Sequence, residues 1–374
     1  MELQTNINYT NLLSEFAIEG GVEEVTPYGS GHINGTFYIK NTDSASPDYL
    51  LQRINNYVFK DVPLLIENIK RVTAHLLNKP EHAQAASEGK LLALIPCKNG
   101  ECYYKDGDGE YWRVYNYLAD TRSYDLVETE QQAYEAGKAF GQFQAQLADL
   151  DPESLKETIP NFHNVDYRLG NFKAALEQDP VGRVAECFEE IRFLTEREDK
   201  MRAILKMGEE GRLPLRITHN DTKINNVLFN KEGEVQCVID LDTVMPGFVA
   251  YDFGDAIRTI INTAEEDEAD ISKINLNIPL FKAYTRGYLN EAIEFLSDNE
   301  LYSLIHGVLL LPYTQAVRFL TDYIDGDKYY KIAFPTHNLQ RTRAQIQLLK
   351  NLEGNREELE QSIYGIAAEI KSER

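Results

Sequence analysis

The chain has 374 residues, 60 acidic against 38 basic, for a formal net charge of −22. That acidic surplus argues against a nucleic-acid partner, whose phosphates need a basic face, while 43% apolar and 26% charged residues are ordinary for a soluble globular protein of two domains or lobes. The four cysteines (Cys97, Cys102, Cys187, Cys237) form no C-x-x-C pair and have no spaced histidines, which argues against zinc and fits a reducing compartment.

The first ten residues, M-E-L-Q-T-N-I-N-Y-T, have neither a basic region nor an apolar core, so no signal peptide is expected and a cytoplasmic location is. From Tyr28 to Ile39 the chain reads Y-G-S-G-H-I-N-G-T-F-Y-I. Gly29, Gly31 and Gly35 fit a hairpin whose backbone N–H groups can approach phosphate oxygens. Ordinary turn chemistry produces the same pattern. The next strand, Tyr49 to Ile54, carries Arg53, whose planar fork can hold nucleotide phosphates. Leu65, Ile69, Val72 and Leu76 then mark a helix over Val62 to Leu77. Its Glu67 is the expected partner of Arg53, though the two can equally form a surface pair of little value.

Strands are expected at Leu91 to Pro96 and Tyr111 to Leu118, with exposed loops at Thr42 to Pro47 and Lys98 to Gly109. Ala119 to Ser123 reads as a connector, which sets the expected division at 1–118 and 119–374. Beyond Glu128 the pattern is mostly helical: Ala133 to Leu147, Tyr167 to Leu176, Ile191 to Lys206, Asp270 to Tyr288, Asp298 to Ile324 and two more helices at the end. Tyr302 to Val317 is almost uncharged, but it is too short to span a bilayer and contains Pro312 and Gln315, so a buried helix is expected and no membrane partner.

One hairpin interrupts the helices. T-H-N-D-T-K-I-N-N-V-L-F-N-K-E-G-E-V-Q-C-V-I-D-L runs from Thr218 to Leu241 and holds His219, Asp221, Asn226 and Asp240. Asn226 and Asp240 stand at open ends of two short apolar runs joined by a Gly233 turn. An amide and a carboxylate are hard oxygen ligands that suit Mg²⁺, which takes few protein ligands and leaves the rest to phosphate and water. Asp221, on the preceding loop, is placed to receive the proton of an attacking hydroxyl. These are the parts of phosphoryl transfer from ATP. The H-x-D-x-x-x-x-N spacing resembles the catalytic loop of the protein-kinase-like superfamily, with Asn220 where protein kinases have arginine. That departure points to its small-molecule kinases, the aminoglycoside and choline phosphotransferases. The resemblance implies an α+β fold with a small β-rich N-terminal lobe that binds nucleotide and a larger, mostly helical C-terminal lobe.

Asp252-Phe253-Gly254 spells the metal-binding D-F-G of protein kinases, but it follows the Pro246-Gly247 turn and opens a helix. Asp252 is therefore read as an N-cap or as a carboxylate that, with His219, braces the catalytic loop, and Asp240 keeps the metal.

The stretches G-H-I-N-G-T-F (31 to 37), L-Q-R-I-N (51 to 55), H-N-D-T-K-I-N-N (219 to 226), A-Y-D-F-G-D-A-I-R (250 to 258) and V-R-F-L-T-D-Y (317 to 323) are similar to the N-acetylhexosamine 1-kinases. The resemblance implies transfer from ATP to the anomeric hydroxyl of N-acetylglucosamine or N-acetylgalactosamine, with His32, Asp221, Arg318 and Tyr329 contacting the sugar. Tyr330 competes with Tyr329, and on a bare helix Arg318 would instead pair with Asp322. The alternatives are a choline, ethanolamine or aminoglycoside kinase of the same fold, or an inactive kinase-like binding protein. The chain is expected to act as a monomer or a small homo-oligomer.

Overall fold

Alternating β-branched and aromatic residues build the first part of the chain into strands, since such side chains pack well on a half-buried pleated surface. In the computed structural model, which describes residues 9–29 and 33–374, residues up to Arg122 form one compact unit together with Leu155–Pro160 and Ile239–Val244. Its antiparallel sheet comprises β1 (Val22–Pro27), β2 (Gly35–Asn41), β3 (Tyr49–Ile54), β4 (Leu94–Ile95), β5 (Tyr104–Lys105) and β6 (Tyr111–Asn116), ordered β1-β2-β3-β6-β4 with β5 also on β6. The strand expected over Leu91 to Pro96 contracts to the two residues of β4. In β3, Tyr49, Leu51 and Ile54 are buried while Arg53 is exposed, opposite Gly35 on one side and Trp112 on the other.

Three helices accompany this sheet: α1 (Tyr9–Leu13), α2 (Val62–Leu77) and α3 (Ala83–Ser87). Asp61 caps α2 by accepting the Leu64 N–H, Pro63 fits the first turn, and Leu65, Ile66, Ile69 and Val72 face the core. Buried Asn68 donates to the carbonyls of Lys156 (2.7 Å) and Val244 (3.1 Å), tying both later segments of this unit to α2.

The second unit holds the remaining residues. Its elements are α4 (Glu130–Leu147), α5 (Val165–Gln178), the short helices α6 (Phe188–Thr195), α7 (Glu198–Met201) and α8 (Ala203–Glu209), strands β7 (Arg216–Thr218), β8 (Val227–Phe229), β9 (Val235–Val238) and β10 (Met245–Gly247), then α9 (Val249–Ile260), α10 (Ile278–Ala292), α11 (Asp298–Ile324), α12 (His337–Gly354) and α13 (Arg356–Glu373). The helix expected over Ile191 to Lys206 is interrupted at Arg197, whose N–H donates to the Leu194 carbonyl at i−3 and whose fork meets Glu353. The helix expected from Asp270 starts at Ile278, where Asn277 caps it and Pro279 fits the first turn.

Helix α11 opens with a Ser297/Glu300 capping box and runs 27 residues through Pro312. Two pairs of helices cross at glycines. A Cβ on Gly287 would sit 2.0 Å from the Tyr134 carbonyl of α4, and one on Gly254 would sit 2.3 Å from the Gly307 carbonyl of α11. Among the described residues, no helix is long and apolar enough to cross a membrane.

Candidate active site

Strands β7 and β10 pair antiparallel, Thr218 opposite Met245, and the loop leaving β7 carries the candidate chemistry. Asn220 sits at φ 65°, a left-handed backbone that asparagine tolerates better than most residues. The small, turn-forming residue in place of arginine thus has a backbone reason. The Asn220 side chain accepts from the Thr218 hydroxyl (3.0 Å) and donates back to the Thr218 carbonyl (3.1 Å).

Asp252 braces this loop from α9. Its carboxylate accepts the N–H groups of His219 (2.8 Å) and Asn220 (2.7 Å) and the Gln144 amide (2.7 Å), and its carbonyl accepts the Thr222 hydroxyl (2.6 Å). It is not an N-cap: α9 begins three residues earlier at Val249, with Phe248 at the cap. Asp255, one turn further along α9, accepts the Thr222 N–H (3.0 Å) and pairs with buried Arg258 (3.0 Å). The other two letters of the D-F-G are packing residues. Phe253 is fully buried, and Gly254 is the close approach to α11. His219 is likewise buried, its ring edge-on to Phe140 and Phe143.

Held this way, Asp221 keeps its side chain 26% exposed, with Lys223 Nζ 3.1 Å from Oδ1. Burial pushes its carboxyl up, but Lys223 and His219 outweigh burial and hold it below its usual value. Asn226 donates its amide N–H to the Asp221 carbonyl (2.8 Å) and to Oδ2 (3.2 Å), so its Oδ1 faces away from these contacts. In the β8–β9 hairpin Val227 lies opposite Val238.

Asp240 and Asp242 belong to the first unit and differ in their surroundings. Asp242 is buried and saturated: Arg113 reaches Oδ1 at 2.5 Å and the Asn34 amide reaches Oδ2 at 2.6 Å. Asp240 is exposed at φ 58°. An exposed carboxylate is a hard oxygen ligand.

In the phosphate-covering hairpin expected near the N-terminus, Gly29 has φ 76° and Gly35 lies beside Arg53. Gly31 and His32 lie outside the described residues. Asn34 is anchored on both sides, donating to Asp242 and accepting the Asn55 N–H at 2.9 Å. The expected Arg53–Glu67 pair is not formed. Glu67 pairs with Arg71 (2.8 Å) and Lys70 (3.7 Å) on its own helix, because neighbours at i+3 and i+4 reach it at little entropic cost. The buried ion pair of this unit is Arg113–Asp242 instead.

The expected acceptor residues of α11 and the loop after it share a cavity of about 320 Å³ whose lining includes Arg168, Arg318, Asp325, Tyr329 and Tyr330. Arg318 does not pair with Asp322. It donates to Gln315 (2.7 Å) and lies over the rings of Phe162 (5.7 Å) and Tyr330 (5.6 Å). Asp322 is occupied by the N–H groups of Lys328, Tyr329 and Tyr330 and by the Asn338 amide. Phe162 adjoins His163, whose Nε2 lies 3.2 Å from the Asn220 carbonyl, so packing links this cavity to the catalytic loop.

A model of the phosphotransferase enzyme family matches residues 24–290. The chain belongs to that family. Solved structures share the fold of this phosphotransferase across most of its length. They include an aminoglycoside phosphotransferase of Alicyclobacillus acidocaldarius (13% identity, 94% of this chain and 95% of that one, TM-score 0.58). A choline kinase of Cryptosporidium parvum is similar to the same degree (13%, 96% and 98%, TM-score 0.58). An amicoumacin kinase in complex with AMP-PNP, Ca²⁺ and Ami aligns at 14% identity over 92% and 93%, TM-score 0.53. Among curated proteins, an uncharacterised kinase-like protein of Caenorhabditis elegans is 30% identical over 186 residues, 47% of this chain and 44% of that protein.

Sequence reasoning missed Lys223, Asp255, the Arg113–Asp242 pair and Arg168. Lys223 was visible as the cation two places after Asp221. Arg168 had no local signal, because its relation to Arg318 arises only when α5 packs on α11.

Proposed function

We propose that this phosphotransferase moves the γ-phosphoryl group of ATP to the anomeric hydroxyl of an N-acetylhexosamine and releases a sugar 1-phosphate and ADP. The observation that carries the acceptor is Arg318, which lines a cavity beside Tyr329 and Tyr330 and, among the described residues, has no carboxylate within ion-pair distance. A guanidinium there favours an acceptor rich in hydrogen-bond-accepting oxygens and repels the ammonium groups of choline, ethanolamine and aminoglycosides. Sites built on directional hydrogen bonds reject substrates that lack the matching groups.

In this reading Asp221 accepts the hydroxyl proton as the sugar oxygen bonds to the γ-phosphorus and the bond to ADP breaks. Lys223 keeps the carboxylate ionised beforehand, and the Asn226 amide fixes its orientation. Asn226 and Asp240 would hold Mg²⁺, which neutralises phosphate charge when bound. Gly29, Gly31, Gly35 and Arg53 would line the nucleotide side, and His32 would face the sugar.

Phosphorus NMR of the product tests this directly. A sugar 1-phosphate formed from a free reducing N-acetylhexosamine is expected. A 6-phosphate, or phosphocholine as the preferred product, would overturn the assignment.

A further inference from the structure

Arg168 stands on α5, facing the cavity that Arg318 enters from α11. Its fork is held by one carbonyl: Nη2 and Nε donate to Phe162 at 2.8 and 3.3 Å. The same Phe162 presents its ring to Arg318, so one residue positions both guanidinium groups. Among the described residues neither arginine has a carboxylate within ion-pair distance, although the chain carries 60 acidic side chains. Asp322, which also lines the cavity, is consumed by three backbone N–H groups and the Asn338 amide. Two neighbouring, half-buried like charges without a protein counter-charge are costly. Burial and the nearby Arg318 charge together lower Arg168 to about 10. Beside them the Tyr330 hydroxyl is buried with no hydrogen-bond partner, and a buried polar atom left unmade calls for a ligand group.

We propose that Arg168 is an acceptor-binding residue which, with Arg318 and the Tyr330 hydroxyl, forms a donor wall that takes the acyl carbonyl and hydroxyl oxygens of the acceptor and excludes cationic acceptors. This rests on the amino-sugar reading above and deepens it, since it makes acylation of the amine the feature recognised. An N-acetylated amine offers an uncharged carbonyl oxygen. The free amine of the same sugar is an ammonium at neutral pH and meets two guanidinium groups.

The test compares N-acetylglucosamine with glucosamine on the full-length enzyme, wild type and Arg168→Gln, Arg168→Lys and Tyr330→Phe variants. Arg168→Gln should raise KM for the N-acetyl sugar about 10- to 100-fold, the worth of a charged hydrogen bond. It should leave KM for ATP unchanged and shrink the preference over glucosamine. Arg168→Lys, which keeps the charge, should still reject glucosamine, and Tyr330→Phe should raise KM for the N-acetyl sugar without changing the melting temperature. An Arg168→Gln enzyme with both sugar KM values unchanged, or with ATP and sugar affinity lost equally, would overturn the proposal. If wild type phosphorylates no N-acetylated sugar but does accept another uncharged or anionic alcohol, the amino-sugar reading fails. The donor wall is then judged by the same Arg168→Gln ratio for that alcohol. Choline or an aminoglycoside as the best acceptor would overturn both.

Discussion

At Asp221 the decisive property is a carboxylate held ionised and oriented by neighbours while still a quarter exposed. Asp221→Asn keeps the size and the backbone contacts but removes the proposed base. Turnover should fall about 10²- to 10⁴-fold, the usual contribution of a positioned base, with nucleotide affinity retained. Near-normal steady-state turnover in this variant would remove Asp221 from the chemistry. Asp240 and Asp252 make a sharper contrast. Asp240 is exposed, so Asp240→Ala should abolish activity at any Mg²⁺ concentration and leave the melting curve in place. Asp252→Ala would strand the buried N–H groups of His219 and Asn220 and the Gln144 amide. Its cost should be about 2–4 kcal/mol of stability, read by denaturant titration, because unsatisfied buried donors lose their full desolvation energy. The reverse pattern, with Asp240→Ala unfolding and Asp252→Ala folding normally but inactive, would mean that Asp252 holds the metal.

At the scale of elements, the catalytic loop depends on how closely α9 approaches α11. Gly254 and Gly307 allow the two backbones to touch, and this sets the height at which Asp252 and Asp255 meet the loop after β7. Gly254→Ala puts a methyl group against the Gly307 carbonyl, so the helices must separate. A loss of about 1–3 kcal/mol is expected, as for overpacking elsewhere. Gly170 offers the control: it lies inside α5 with open space around its Cβ position. Gly170→Ala should stabilise by about 0.5–1 kcal/mol through helix propensity. Equal melting temperatures for the two variants would show that the crossing does not constrain α9. The same crossing explains why D-F-G here is a coincidence of letters: each of its residues has a packing or bracing partner within the second unit.

For the molecule as a whole, stability should depend on pH through two half-buried histidines. Burial lowers both His163 and His306 to about 4, and His306 Nε2 has no hydrogen-bond partner. Their folded values lie below the unfolded value near 6.5. The stability they contribute is therefore present above about pH 6.5 and is lost as pH falls towards 4. The slope should approach about 1.4 kcal/mol per pH unit for each histidine. Denaturant midpoints measured between pH 7 and pH 5 should fall steadily, and His306→Leu should flatten the slope. A pH-independent midpoint over that range would show that neither histidine stays neutral in the fold. Relief of charge repulsion in this acidic chain acts in the opposite direction, but chiefly below pH 5, where carboxylates protonate.

Much of this was legible from residue order, for a physical reason: the relevant interactions are local. The α2 helix, the 27 residues of α11 and the β8–β9 hairpin follow from periodicity, caps and turn residues within one segment. The spacing of His219, Asp221 and Asn226, from which the phosphotransfer reading is proposed, is legible because one short loop holds all three. Local signals failed where distant groups compete for the same partner. Glu67 had Arg71 one turn away and so did not reach Arg53. The helix predicted to Lys206 broke where Arg197 met Glu353. Only tertiary packing sets Asp252 beneath the catalytic loop, saturates Asp242 with Arg113 and brings Arg168 beside Arg318. Each of these joins residues remote in sequence, and burial strengthens such charges and hydrogen bonds by removing the competing water.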